Sequence, residues 1–208
     1  VLTRVLGPDQ GSMKILFVPE DSRGFLIDIL ILRALIRQGH KVIMALKEGF
    51  FFYAPTFWDF EQDTVLASAL EGARFLTERQ LSKNELLKAQ RENDFLIISD
   101  GTREKLNLYR TNVTFARAWK EADLILAKGE GNHKRLIQNS HEFTRDILCF
   151  CRDQEGQLML VHKPKSEKAY KFTEEQLVVK AEEIINQMRK EKRAGKNIMF
   201  YSAIIGSI

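Results

Sequence analysis

The sequence predicts an α/β fold, three layers deep, with a mostly parallel sheet at its centre. Three observations carry that expectation. Short, nearly continuous apolar runs alternate with amphipathic segments along the chain. The runs have the length of strands buried on both faces, which lack the alternation of half-exposed strands. No internal repeat or low-complexity stretch interrupts the pattern, so one sheet covered by helices on both sides accounts for it.

The elements follow in order. Ile15 to Val18 reads as the first strand, and the apolar stretch from Phe25 to Gln38 as a helix stopped by Gly39, a residue suited to the left-handed turn after a helix. "HKVIMALK" is the second strand. "EGFFFYAPTFWDF" reads as a long aromatic loop, against the usual polarity of loops. "DTVLASALEGA" is helical in pattern and "RFLT" is a brief strand. "SKNELLKAQREN" opens with Ser82 as a cap and Glu85 three residues on, a capping box. "DFLIISDGT" is a strand ending in a glycine turn, "NVTFARAWKEA" a helix, and "DLILAK" the fifth strand. "HKRLIQNS" reads as one or two helical turns, and "DILCFC" and "QLMLVHK" as strands joined by "RDQEGQ". Thr173 to Gly195 is an amphipathic helix with a threonine cap and a glycine stop. Lys196 to Ile205 reads as a closing strand or an element cut short. Residues 1–13 are expected to be a leader or cloning remnant, and residues 14–208 a single α/β domain.

Composition narrows the function classes. The 208 residues are 44% hydrophobic and 29% charged, which fits a soluble globular protein and not a disordered one. No apolar run approaches the ~20 residues of a membrane span, and no signal-peptide pattern is present. A cytoplasmic protein without a membrane partner is expected. The net charge of +4 owes much to Arg189 to Lys196, read as the solvated end of a helix, where basic residues complement the macrodipole. No aromatic residues interleave with those charges, so no nucleic-acid partner is expected. Cys149 and Cys151 lie two apart on a strand and share a face. Without a second ligand pair they read as buried thiols and not as a zinc site.

In parallel sheets of this kind, ligands bind beyond the carboxyl ends of the strands. The first strand runs into Glu20 and Asp21, which either ligate a hard divalent cation or complement the start of the next helix, with Ser22 able to cap it. Lys47, after the second strand, is a candidate phosphate contact, and Asp59 is the next acid in that loop beyond Glu48. The surrounding aromatic residues line a cavity, form a buried loop or face a partner. After the fourth strand, Gly101 lets backbone N–H groups face an anion and Thr102 offers a hydroxyl, while Asp100 is an alternative metal ligand. After the fifth come Lys128, Gly129, Glu130, Gly131 and Asn132. Two glycines there permit close backbone approach to a ligand, Lys128 supplies charge, and Asn132 can cap the next helix. The loop matches neither the Walker A pattern nor the dinucleotide fingerprint. His133 reads as a surface residue.

The stretch from Asp94 to Leu136, "DFLIISDGT…ADLILAKGEGNHKRL", resembles the carboxyl-terminal half of the damage-control phosphatases, a metal-binding domain long catalogued as a domain of unknown function. The similarity runs from Lys14 to Lys163, and Lys128 to Asn132 is its most specific block. The resemblance implies a Rossmann-like α/β/α sandwich and a phosphatase, dependent on a divalent metal such as Mn, Mg, Co or Ni, that acts on small phosphorylated metabolites. By position it assigns phosphate contacts to Lys128, Gly129, Gly131, Asn132, Gly101, Thr102 and Lys47. The family's Asp-Asn after the first strand is replaced by Pro19-Glu20-Asp21. A second family aspartate falls near Ala54, and the family's Asp-Leu becomes Asn107-Leu108. Glu20, Asp21 and Asp59 are the acids from which a metal site would be rebuilt. Met13 to Leu46 also resembles the opening of a nucleotide-sugar glycosyltransferase, but such enzymes need a second Rossmann-like domain.

Two functions are therefore expected. One is a metal-dependent phosphatase for small phosphorylated metabolites. The other is a catalytically degenerate, phosphate-binding or regulatory member of the same family. Fewer acidic ligands favour the second, since ligand charge largely sets cation affinity.

Overall fold

Apolar runs too short for a helix and rich in β-branched residues become the strands of one sheet. The computed structural model describes residues 11–139, 142–153 and 155–166, together with Leu6 and Asn186. Its elements are β1 (Lys14–Val18), α1 (Phe25–Arg37), β2 (Lys41–Leu46), α2 (Phe57–Gln62), α3 (Thr64–Ala69), β3 (Arg74–Leu76) and α4 (Lys83–Glu92). They continue with β4 (Phe95–Ser99), α5 (Val113–Glu121), β5 (Leu124–Lys128), a short helical turn α6 (Glu130–Asn132), β6 (Asp146–Arg152) and β7 (Leu158–Lys163). Between α6 and β6 the chain continues as one π-helical stretch, His133–Ile137.

The seven strands are ordered β3-β4-β2-β1-β5-β6-β7. Neighbouring strands are parallel except for the β6–β7 hairpin, whose strands run antiparallel. This is the α/β sandwich with a mostly parallel sheet that the sequence predicts.

Strand periodicity divides the core into two layers. On one face Ile15, Phe17, Met44, Ile97 and Leu126 pack with Phe25, Ile29 and Leu32 of α1 and Phe60 of α2. On the other, Leu16, Val18, Ile43, Ile98 and Ile125 pack with Leu86 of α4, Phe115 and Ala118 of α5, and Leu136. Cys149 joins this second layer, and both it and Cys151 are buried free thiols. Burial pushes the Cys149 thiol up to about 12, so it stays protonated at neutral pH.

The sheet order reverses beside β1. From β1 the chain moves to β2 on one side and later returns through β5 on the other. Val18 pairs with Ala127, so these two neighbouring strands end level with each other. A crevice opens at such a reversal because the loops leaving the two strands turn to opposite faces.

Several local expectations are corrected. The stretch read as an aromatic loop contains α2, which starts from a capping box in which Asp59 accepts from the Thr56 backbone N–H at 2.6 Å. Asp59 is thereby committed to a helix end and does not join Glu20 and Asp21. Phe50, Phe52, Tyr53 and Trp58 are largely exposed, so they do not form a buried loop. Ser22 does not cap α1; the cap position is Gly24, in the left-handed conformation. The outer face of α1 leaves Leu26, Ile27, Leu30 and Ile31 exposed, although its sequence is apolar nearly all round. Apart from Asn186, the helix expected over Thr173 to Gly195, the closing strand after it, the basic segment Arg189 to Lys196 and most of the expected leader lie outside the described residues.

Candidate functional site

Two clusters of charge form at the carboxyl edge of the sheet, each built around one of the lysines expected to meet phosphate. The first lies at the ends of β2 and β4. There the Lys47 ammonium is 2.5 Å from Asp100 and donates to the Thr102 hydroxyl at 3.0 Å. All three residues are buried. Burial raises the Asp100 carboxyl above its ordinary range, while Lys47 and the Thr102 N–H and hydroxyl pull it down. The Gly101 N–H donates to the Ser99 hydroxyl at 2.9 Å, and the Thr102 N–H to Asp100 at 2.8 Å. Gly101 adopts φ 78°, and a Cβ there would press on Asn112, which caps α5. Lys47, Gly101 and Thr102, expected to face a phosphate, thus turn their donors inward. Their glycine turn closes against a helix cap.

The second cluster occupies the crevice between β1 and β5. Lys128 ends β5, and its ammonium lies 2.7 Å from Asp28 and 3.8 Å from Asp21. It also donates to the Arg23 carbonyl. Asp28 stands in the first turn of α1 and is 3% exposed. Burial pushes its carboxyl up to about 6, against the pull of Lys128. Sequence reading missed Asp28. Its signal was an acid on the same helix stripe as Phe25, Ile29 and Leu32, a position that requires a cation once buried.

The glycine loop faces the same crevice. Gly129 has φ 103° and ψ 160°, a conformation essentially restricted to glycine. The Gly131 N–H donates to the Glu20 carboxylate at 2.8 Å. A Cβ on either Gly129 or Gly131 would overlap that carboxylate; at Gly129 it would also meet the Glu20 Cβ at 2.5 Å, whereas at Gly131 it would meet only the movable ends of Glu20 and Arg135. Asn132 is buried and does not cap a helix. Its amide donates to the carbonyls of Val18 at 3.1 Å and Lys128 at 2.9 Å, tying the ends of β1 and β5 together. Arg135 stands 3.9 Å from Glu20.

These donors do not fit a divalent cation. Asp21 holds the Arg23 guanidinium at 2.9 Å and accepts its backbone N–H, Glu20 is taken by the Gly131 amide, and Asp28 by Lys128. Among the described residues no group of three or more His, Cys, Asp or Glu side chains is placed to hold a metal ion. The space between Asp21 and Asp28 is filled by an ammonium of the chain itself. Glu20 and Asp21, expected as metal ligands, are brought to one crevice but not to one point.

The fold is a Rossmann-like α/β/α sandwich with a glycine loop and a lysine at its strand reversal, where ligands of such sheets bind. The damage-control phosphatase ARMT1-like domain matches residues 4–154, and the chain belongs to that family. A crystal structure of a DUF89 family protein from Pyrococcus horikoshii is also similar, with 20% sequence identity and a TM-score of 0.48. That match covers 72% of this chain and 43% of the other, so this chain spans less than half the length of that relative. No curated protein matches. Among the described residues, no helix is long and apolar enough to cross a membrane.

Proposed function

We propose that this chain binds a small phosphorylated metabolite in the crevice between β1 and β5, with Lys128 and the backbone of Gly129, Gly131 and Asn132 taking the phosphoryl group. Membership of the family supports a phosphatase-type role in general. The geometry favours the binding or regulatory form of that role. The observation that carries this reading is the setting of Lys128, whose ammonium stands between Asp21 and Asp28 where acids would otherwise gather a cation. Lys128 is paired with Asp28 and Asp21 here, so a phosphoryl group would take over part of that pairing, and glycine backbone beside the lysine can approach an anion closely.

A second reading, a phosphatase dependent on Mn²⁺, Co²⁺, Ni²⁺ or Mg²⁺, is favoured by one feature: Glu20, Asp21 and Asp28 all border this crevice. Elemental analysis of the purified protein, with p-nitrophenyl phosphate hydrolysis before and after metal addition, separates the two. The binding reading expects sub-stoichiometric metal and no metal-dependent hydrolysis. Stoichiometric metal with dependent turnover would replace it with the phosphatase.

A further inference from the structure

The two glycines beside Lys128 do not face open solvent; their approach surface is filled by a carboxylate of the same chain. Glu20 leaves the end of β1 beside Gly129, because Val18 and Ala127 are in register and Asn132 ties the two strand ends together. Its oxygen accepts the Gly131 N–H, and its head group occupies the space where a Cβ of either glycine would lie. A carboxylate and a phosphoryl group offer the same chemistry to such a loop: anionic oxygens that accept backbone N–H bonds.

We propose that Glu20 is an internal competitor for the anion seat of the Lys128–Asn132 loop, so that a phosphoryl ligand binds only by displacing it. The proposal rests on the reading of this loop as a phosphate site and adds its regulation. The Glu20 side chain is 30% exposed, and its ion pair with Arg135 is 3.9 Å long with the arginine 28% exposed. A loose, solvated pair of this kind holds its partners weakly, so Glu20 can swing out. Once out, it leaves the Gly131 N–H and Arg135 to the incoming anion. While in place it both fills the seat and repels a dianion. The loop therefore favours ligands whose remaining contacts offset the removal of Glu20, and it holds free phosphate only weakly.

The test is calorimetric titration of inorganic phosphate into the wild-type chain, Glu20→Gln and Glu20→Ala, with Lys128→Gln as reference. Gln keeps the shape without the charge, and Ala empties the seat, so either variant carries the test if the other does not fold. Both are expected to bind phosphate at least about tenfold more tightly than wild type, a gain of ~1.4 kcal/mol. In the wild type, added phosphate is expected to shift the Gly131 amide resonance as its partner changes. Wild-type binding that depends on Lys128 but is unchanged or weakened by both Glu20 substitutions would overturn the competitor and leave the phosphate site standing. No binding by wild type or either Glu20 variant would overturn both.

Discussion

The Lys128 ammonium lies 2.7 Å from the carboxylate of Asp28, a residue one hundred positions earlier in the chain. The pair joins the end of β5 to the first turn of α1 across the sheet's point of reversal. Its acid is nearly buried and its base is 14% exposed, so the charge at the crevice is set by the fold and not by bulk solvent.

That pair makes stability depend on pH with a definite sign. Burial lifts Asp28 from the ordinary 3.8 to about 6. An acid with the higher pKa in the folded state takes up a proton on folding, so its contribution is fully present below about 3.8 and is lost as pH rises through about 6. Asp100 is shifted in the same direction. Denaturant unfolding of wild type and Asp28→Asn at several pH values isolates the Asp28 share. Wild type should lose stability relative to the variant as pH rises from about 4 to about 6.5. A flat or opposite difference contradicts the assignment.

Lys47 neutralises Asp100 in a buried pair at 2.5 Å. Removing one partner of such a pair strands the other's charge, so Lys47→Ala should destabilise the fold by roughly 3 kcal/mol. Lys47→Met combined with Asp100→Asn keeps the volume and most hydrogen bonds without either charge, and should recover more than half of the loss. Urea unfolding measures both, and equal stability of the single and double variants would refute the pairing.

The two loop glycines should respond differently to relief of Glu20. Gly131 lacks a positive φ and is constrained only by space, chiefly Glu20 and the Arg135 head group at 2.9 Å. Gly131→Ala should cost no more than about 1 kcal/mol, because the ends of Glu20 and Arg135 can move aside, and Glu20→Ala should remove most of that cost. Gly129→Ala is strained by φ 103° whatever stands nearby, so the same rescue should fail. Thermal melts of the single and double variants decide this.

Asn132 holds two strand-end carbonyls from a buried position. Asn132→Ala leaves them without that donor and should cost about 2 kcal/mol. Asn132→Asp should be worse, because a carboxylate offers no N–H and repels both oxygens. An aspartate variant as stable as wild type would show that the tie carries no weight.

The sheet was legible because β1, β2, β4 and β5 are buried on both faces and so appear as unbroken apolar runs. The Ser82–Glu85 capping box was legible for the opposite reason, being entirely local, and its hydrogen bonds are formed. The equally local Thr56–Asp59 box was overlooked among aromatic residues that suggested a loop. At the site, Lys128, Gly129, Gly131 and Asn132 stood out by type and spacing. Glu20 stood out too, as an acid at a strand end, but its contact with Gly131 did not, nor did the partners Asp28 and Val18, since they lie far away in sequence and only the β1–β5 register brings them together. The inward turn of Lys47 and Thr102 was hidden likewise, because Asp100 looked as suited to a metal as to a lysine.

In the proposed function a phosphoryl group binds beside Lys128 without metal. The most direct measurement of this binding is the melting temperature of wild type and Lys128→Gln across a panel of phosphorylated metabolites in EDTA. At least one ligand should raise the wild-type melting temperature, and Lys128→Gln should lose the shift. A shift of equal size in Lys128→Gln, or none across the panel, would contradict it.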